Sequence, residues 1–260
     1  MFKRTMSALI GAPLLLVFTY LGGPYIAFLV AALTLLALRE FLQIGRYMGI
    51  KVWHKLAYAA AVIWLASLFM IGRECLLPML ILWLLVCLVK LALTYPSESF
   101  PEVSFNFISV LYTVVLLSHL YLLRQLPRGI AWTFLTFFLV WATDTGAYLV
   151  GRQFGRHPLA PKISPNKTIE GSLGGLMFSL AVALVFWRLA GGASWDTYLV
   201  LGAIVGVSAQ VGDLFESALK RGAGIKDSGN LIPGHGGILD RFDSFIFVVP
   251  LIYYGVILLT

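Results

Sequence analysis

The segment at residues 217–243, SALKRGAGIKDSGNLIPGHGGILDRFD, contains the residue types from which phosphate and metal sites are built. Lysines, arginines, aspartates and a histidine alternate there with glycines, although the whole chain is 60% hydrophobic and only 12% charged. Glycines let the backbone approach a ligand closely, and successive backbone N–H groups form an anion-binding nest. Loops that only connect apolar helices do not need this combination. The segment therefore predicts a site for phosphate groups and a cation.

Carboxylates flank this segment on two predicted helices. Asp213 precedes Ser217 and Lys220 at helical spacing, which places these side chains on one helix face. Asp240 and Asp243 lie three residues apart at the start of the next helix, again on one face. Mg²⁺ prefers oxygen ligands and usually binds one or two carboxylates together with substrate phosphates. We therefore expect the aspartates of the two helices to meet at a magnesium–phosphate site.

Two further polar motifs precede the segment. Asp144 lies inside a predicted membrane helix, where a carboxylate is costly and so indicates function, although pairing with an arginine for structure alone is the alternative. The following loop, which its prolines keep stiff, supplies phosphate-directed donors from Ser164, Lys167 and Thr168. Glu170 then opens the next helix, whose N-terminal dipole favours anions. An ordinary basic membrane loop is the alternative here, and the Ser-Pro-x-Lys-Thr-x-Glu-Gly pattern argues against it.

Long apolar runs, which must position these motifs, determine the fold class. The mean hydropathy is +0.90, and a helix of about 20 largely apolar residues spans the hydrocarbon layer. The runs are continuous and do not alternate with a period of two, which excludes a membrane barrel. We predict spans at residues 6–22, 24–44, 56–72, 76–94, 105–123, 130–150, 171–190, 197–217 and 241–260. The predicted fold is all-α, a polytopic membrane helical bundle of about nine transmembrane helices.

The distribution of basic residues predicts the orientation. With the N-terminus in the cytoplasm, most lysines and arginines lie on the cytoplasmic side, and the other side receives only Arg73, Arg124, Arg128 and Arg188. This is the positive-inside bias of membrane proteins. The active site is then expected at the cytoplasmic face, in a bacterial inner membrane or, alternatively, an organelle membrane. Because the net charge of +7 follows this topology, it does not indicate nucleic-acid binding.

The two halves of the chain differ in polar content. Residues 1–123 are apolar helices with short connections, and we expect them to act as a scaffold, with oligomerisation as an additional role. Arg39 and Glu40 are expected to pair with each other or to reach the membrane surface. Residues 124–260 carry the three polar motifs and form the predicted catalytic region. Small residues four apart predict close helix packing in this half: Gly171 with Gly175, and Gly202 with Gly206.

The three motifs, in this order, resemble those of the phosphatidate cytidylyltransferases, also called CDP-diacylglycerol synthases. The resemblance covers about residues 141–243 and is complete across Ser217-x-Leu219-Lys220-Arg221-x4-Lys226-Asp227-x-Gly229-x2-Ile232-Pro233-x-His235-Gly236-Gly237-Ile238-x-Asp240-Arg241-Phe242-Asp243. It extends to Asp144-Thr-Gly-Ala-Tyr148 and Ser164-Pro-x-Lys167-Thr168-x-Glu170-Gly171. Members of the family often carry a second lysine in place of Asn166 and an aromatic residue in place of Ile169. That departure would lower the affinity of the loop for phosphate.

The resemblance implies a reaction in which CTP and phosphatidate give CDP-diacylglycerol and pyrophosphate with the help of a divalent ion. The lipid phosphate is itself the nucleophile and is mostly dianionic at neutral pH, so no strong general base is needed. Catalysis then requires that the two anions are brought into line and that charge on the departing pyrophosphate is stabilised. The bilayer is the other implied partner, and the sequence leaves a homodimer open.

The resemblance also implies roles for the residues of the motifs. Catalysis is expected of Asp213, Asp240, Lys220 and Arg221, with Asp213 and Asp240 as the Mg²⁺ ligands. Substrate binding is expected of Asp144, Ser164, Lys167, Thr168, Glu170, Lys226, Asp227, His235, Arg241 and Asp243. Within that set, Asp144 and Asp243 are also candidates to support the metal or to bind a second cation. His235 would donate a hydrogen bond to a phosphoryl oxygen, because magnesium rarely binds imidazole.

Other functions fit parts of the pattern. The same architecture can use a different lipid acceptor, or act as a CTP-dependent lipid kinase that releases CDP in place of pyrophosphate. Carboxylates within the membrane, here Asp144 and Asp213, also suit an ion-coupled transporter, which places them near the midplane between matched halves with broken helices. The polar residues of this chain gather at one surface, and its halves do not match. An enzyme is therefore favoured, and a purely structural scaffold would not need the aspartates.

Overall fold

The computed structural model describes residues 2–231 and 236–260, and the side chains from residue 11 onward within those ranges. Its helices are α1 (Phe2–Leu21), α2 (Gly23–Tyr47), α3 (His54–Ile71), α4 (Leu76–Thr94), α5 (Phe100–Val110), α6 (Leu117–Gln125), α7 (Gly129–Phe154), α8 (Ile169–Ala190), α9 (Trp195–Gly222) and α10 (Leu239–Leu259). A 3₁₀ turn, Arg73–Cys75, precedes α4, and a π-helical segment, Leu111–Leu116, joins α5 to α6.

Eight helical stretches of the described residues are long and apolar enough to cross a membrane: Gly23–Tyr47, His54–Ile71, Arg73–Thr94, Phe100–Gln125, Gly129–Phe154, Ile169–Ala190, Trp195–Gly222 and Leu239–Leu259. α1 contributes the shorter apolar stretch Gly11–Leu21. Breaks between helices fall at glycines: Gly22 and Gly72 have φ angles of 65° and 90°, which side chains with a Cβ rarely adopt. The prediction of an all-α, multi-pass protein is confirmed.

A short antiparallel hairpin lies between α7 and α8, where the sequence predicted only a stiff loop. Its strands are β1 (Pro158–Ala160) and β2 (Ser164–Thr168), with Ala160 opposite Ser164. β2 runs directly into α8, and Oγ1 of Thr168 accepts a hydrogen bond from the Gly171 N–H at 3.1 Å. This N-cap satisfies one of the N–H groups that a helix start leaves without a partner. The hairpin therefore fixes where α8 begins.

Two compact units can be distinguished in the chain. The first consists of residues 1–122 and 219–241, and the second of residues 123–218 and 242–260. In the first unit, the buried ring of Phe41 lies between Phe105 and Tyr112, at centroid distances of 5.1 and 5.5 Å. These aromatic contacts fix α2 against α5 and the π-helical segment.

Glycines bring the helices of the second unit into close contact. A Cβ on Gly175 would lie 2.8 Å from the Thr143 carbonyl oxygen, and a Cβ on Gly202 would lie 2.8 Å from Cβ of Ala183. Neither distance is compatible with a side chain, so these positions need glycine for the backbones to approach. The close packing predicted from small residues four apart is confirmed at both positions.

We expect Gly175→Val to destabilise the second unit by about 1–3 kcal/mol, because the added carbons overpack the contact between α7 and α8. Unfolding by sodium dodecyl sulfate in mixed micelles measures this free energy. Gly11→Ala is the control, since a Cβ on Gly11 meets nothing within 4 Å. Equal stability of the two variants would show that α7 and α8 do not need this close approach.

Candidate functional site

A cavity of about 380 Å³ in the second unit gathers polar side chains from α7, β2, α8 and α9. Its polar lining consists of Asp144, Tyr148, Arg152, Asn166, Lys167, Thr168, Ser172, Gln210 and Asp213. The structure thus brings together Asp144, Lys167, Thr168 and Asp213, which belong to three separate motifs of the sequence. Arg152 and Gln210 line the same cavity, although the sequence assigned neither of them a role.

Lys167 and Asp213 form an ion pair on the wall of this cavity. Nζ of Lys167 lies 2.5 Å from Oδ2 of Asp213, and the Ser217 hydroxyl donates to Oδ1 at 3.3 Å. The side chains of Lys167 and Asp213 are 28% and 35% exposed. The Asp213 carboxylate is partly exposed, whereas the Nζ atom of Lys167 is itself buried. A ligand that separates the two groups must therefore offer the ammonium another anion.

The remaining wall of the cavity favours anions. Nη1 of Arg152 lies 3.3 Å from the Tyr148 hydroxyl, so the guanidinium is oriented at the rim of the cavity. The first turn of α8 contributes Gly171, where a Cβ would lie 2.8 Å from the Ala147 carbonyl oxygen. A helix N-terminus carries a partial positive charge and exposed N–H groups. Guanidinium, ammonium and helix start together form a donor set that suits phosphate oxygens.

Glu170 and Ser164 lie outside the described lining of this cavity. Oε2 of Glu170 accepts hydrogen bonds from the backbone N–H groups of Arg156 and His157, at 3.1 and 3.3 Å, and Oε1 lies 2.6 Å from Nδ1 of His157. Ser164 opens β2 opposite Ala160. Both residues shape the hairpin and its junction with α8, and their contact with a substrate stays a prediction.

A second polar cluster, in the first unit, surrounds Asp240 at the start of α10. Nζ of Lys220 lies 2.6 Å from Oδ1 of Asp240. Oδ2 accepts hydrogen bonds from the N–H and hydroxyl of Ser228, both at 2.9 Å, and from the Gly237 N–H at 2.8 Å. A carboxylate has about four lone-pair sites, so these donors hold Asp240 firmly. The side chains of Asp240 and Lys220 are only 6% and 13% exposed.

The other charged residues of the 217–243 segment are more accessible to solvent. Exposed side chains are those of Arg221, Lys226, Asp227 and Arg241. Arg221 donates from Nη1 to the Ile225 carbonyl at 3.2 Å, and Asp227 lines a cavity of about 470 Å³ beside α2. Asp243, which is half-buried, accepts the N–H of Ser244 at 2.7 Å within the second unit. His235 falls in the part of the segment that lies outside the described residues.

Glu40 takes part in the cluster around Asp240, which the sequence did not predict. The expectation that it pairs with Arg39 or reaches the membrane surface is wrong. Its side chain is 7% exposed and accepts hydrogen bonds from Ser228, Ile238 and Leu239. Because these partners lie 188 residues or more along the chain, local sequence around Glu40 does not reveal them. The available signal was a carboxylate inside an apolar helix, which indicates function.

Comparisons with known proteins show the family of the chain. Residues 2–259 match the Cytidylyltransferase family. The chain is 38% identical to the phosphatidate cytidylyltransferase of Staphylococcus haemolyticus over 260 residues, which covers 96% of each chain. It is 43% identical over 173 residues to the enzyme of that name from Bacillus subtilis, and 47% identical over 156 residues to that of Staphylococcus saprophyticus. Those two matches cover 64% and 59% of each chain.

Proposed function

This chain belongs to the cytidylyltransferase family, and from that premise we propose that it condenses CTP with phosphatidate to give CDP-diacylglycerol and pyrophosphate in phospholipid biosynthesis. The observation that carries the proposal is the cavity in which Asp213, Lys167 and Arg152 meet the start of α8. It offers two carboxylates, those of Asp144 and Asp213, for a cation and several donors for phosphate. Such a set suits the transfer of a nucleotidyl group between two anions.

The reaction uses a nucleophile that the lipid itself supplies. A phosphate monoester has a second pKa of about 6, so it is mostly dianionic at neutral pH. One of its oxygens attacks the α-phosphorus of CTP, and the bond between that phosphorus and the oxygen bridging to the β-phosphate breaks. Pyrophosphate leaves with the bonding electrons. No side chain has to remove a proton, so the protein contributes orientation and charge neutralisation.

The side chains of the cavity can supply that neutralisation. The ammonium of Lys167 and the guanidinium of Arg152 are cations on its wall, and Arg is well suited to bidentate contact with phosphate. The Thr168 hydroxyl accepts from Gly171 and keeps its own proton to donate. In the first unit, Lys220, Arg221 and Lys226 would act on the other phosphate groups of the two substrates.

We include Mg²⁺ in the proposal, with Asp213 and Asp240 as its protein ligands. Asp213 fits this role because its carboxylate is partly exposed and lines the cavity. Asp240 has one oxygen to offer, Oδ1 beside Lys220, because Oδ2 accepts two backbone N–H groups and lies 2.9 Å from the Ser228 hydroxyl. In each unit, a substrate phosphate would give the lysine a competing anion and so release a carboxylate oxygen. When bound, the ion would stabilise negative charge on the phosphate groups.

The reaction would take place at the cytoplasmic face of a bacterial inner membrane, with the N-terminus in the cytoplasm. The positive-inside distribution of lysines and arginines supports this orientation. In this arrangement residues 124–260 would carry most of the catalytic machinery. Residues 1–123 would act mainly as its scaffold.

Product identity tests the proposal directly. The purified protein, in detergent with phosphatidate and Mg²⁺, is given CTP labelled on the α-phosphate or, in parallel, on the γ-phosphate. We expect the α-label in the lipid product, the γ-label in pyrophosphate, and loss of both products with EDTA, restored by added Mg²⁺. A γ-label in the lipid would identify a lipid kinase. Turnover that persists in EDTA would show that the reaction does not need Mg²⁺. If no lipid acquires label, the proposed function is overturned.

A further inference from the structure

We propose that Glu40 is a positioning residue for the reaction: its buried carboxylate holds Ser228 and the start of α10 so that Asp240 faces Lys220. The inference rests on the proposed function, since Asp240 and Lys220 are the groups expected to act there. It gives a reaction-related role to the N-terminal half of the chain, to which the sequence assigned none.

Glu40 caps α10 from another helix. Its Oε1 accepts the Ile238 N–H at 2.9 Å, and its Oε2 accepts the Leu239 N–H at 2.8 Å. Leu239 is the first residue of α10. A helix start leaves its first N–H groups without intrahelical partners, and its partial positive charge favours a carboxylate. Glu40 therefore fixes the first turn of α10, which carries Asp240.

Ser228 links the two carboxylates. Its hydroxyl oxygen lies 2.9 Å from Oε2 of Glu40 and 2.9 Å from Oδ2 of Asp240, and its N–H donates to the same Asp240 oxygen. The residue is buried, with 3% exposed. Because a hydroxyl has one proton to donate, both carboxylates compete for it. The position of Ser228, and with it that of Asp240, depends on Glu40.

Glycines of the 217–243 segment leave the space that this carboxylate fills. A Cβ on Gly229 would lie 2.8 Å from Oε1 of Glu40, and a Cβ on Gly237 would collide with Oε2 of Glu40 and with the Ser228 hydroxyl. Phe41, the next residue of α2, is anchored between two aromatic rings. The carboxylate is thus held from one side by α2 and enclosed from the other by the segment.

The test compares kinetic constants of Glu40→Gln with those of a matched variant. Glutamine keeps the size of the side chain but offers one oxygen, so its NH₂ group must face either Ile238 or the pair of donors at Ser228 and Leu239. A misplacement of about 1 Å near reacting groups costs about a hundredfold in rate. We therefore expect kcat to fall by about that factor, and KM for CTP and phosphatidate to change much less.

Asn106→Ala is the matched control. Asn106 is fully buried in the same unit and bonds to Trp53, Lys51 and Glu102, away from the segment. Its replacement should lower the melting temperature without lowering kcat of the folded enzyme. If Glu40→Gln loses no more kcat than Asn106→Ala at a similar loss of melting temperature, the role of Glu40 is only structural and the proposal is overturned.

Ser228→Ala provides a second, independent variant. It removes the hydroxyl between the carboxylates and leaves both helix-capping bonds of Glu40 in place. We expect a larger loss of kcat than in Asn106→Ala, and a double variant with Glu40→Gln whose loss of kcat, as a free energy, is smaller than the sum of the single losses. Additive losses, or an unchanged kcat in Ser228→Ala, would overturn the proposal. If Glu40→Gln does not fold, the kcat of Ser228→Ala tests the proposal on its own.

Hydrogen–deuterium exchange separates this inference from the proposed function, because it needs no turnover. In Glu40→Gln the amides of Ser228, Gly237, Ile238 and Leu239 should exchange faster than in the wild type, and Asn106→Ala should leave them unchanged. Unchanged exchange in Glu40→Gln would overturn the positioning role even in an active enzyme. Absence of cytidylyl transfer by the wild type would instead overturn the function, while leaving the exchange result standing.

Discussion

Asp213→Asn should lower turnover by about a thousandfold or more, equivalent to about 4 kcal/mol of transition-state stabilisation, while the protein inserts and folds normally. Asparagine keeps the size of the side chain but removes the negative charge that a divalent cation requires. We expect the fold to tolerate the change, because the amide oxygen of asparagine can still accept from Lys167 or Ser217. Initial rates with CTP and phosphatidate, together with a melting temperature in detergent, measure the two effects.

Asp196→Asn is the control for this variant. Asp196 is an exposed aspartate in the first turn of the same helix, α9, and makes no part of the cavity. It should retain the wild-type rate. If Asp213→Asn also keeps that rate, Asp213 is not a metal ligand, and the cavity loses its assigned role in catalysis.

Asp240→Asn should abolish turnover to a similar extent and, unlike Asp213→Asn, should also destabilise the protein. The amide would retain one acceptor oxygen and would place an NH₂ group against donors that now bond to Asp240. The Lys220 ammonium, in a site that is only 13% exposed, would lose this carboxylate. Removing one partner from a buried ion pair costs about 3–5 kcal/mol. A melting temperature and initial rates report the two losses separately.

A double-variant cycle provides the control for Asp240. Lys220→Gln alone should cut the rate severely, since Lys220 is a proposed partner of the substrate phosphates. Combined with Asp240→Asn, it should destabilise the protein by less than the sum of the two single changes, because the pair interacts directly. Full activity of Asp240→Asn would end its assignment as a ligand, and additive stability losses would contradict the ion pair.

The membrane fold could be predicted from the sequence because each span is a continuous apolar run. The hairpin at residues 158–168 could not, because its strands are short and lack alternation of apolar and polar residues. Pro161 and Pro165 instead suggested a stiff loop without strands. The pairing of Ala160 with Ser164 is a short-range contact that propensity alone does not determine.

The site could be predicted in its residue types but not in its contacts. Helical spacing gives the face on which Asp213 lies, and it does not say that Lys167 from a distant loop will reach that face. The sequence likewise placed Asp240 at a helix start without revealing that Glu40 holds the same turn. Periodicity describes one helix at a time, whereas the partner of each carboxylate is decided by packing between elements. Asp144 and Asp213 could nevertheless be predicted because each is a carboxylate in an apolar helix, and Lys167 and Thr168 because they are phosphate-directed donors in one loop motif.

The ammonium of Lys167 acts as a counterion that the protein keeps permanently attached at Asp213. A tethered group of this kind competes with an effective concentration on the order of millimolar or higher. Free magnesium would have to displace it unaided. A magnesium–nucleotide complex also carries phosphate groups. These phosphates can pair with Lys167 at the same time as the magnesium binds Asp213. If Mg²⁺ is bound as proposed, we expect metal and nucleotide to enter as one complex, before the lipid.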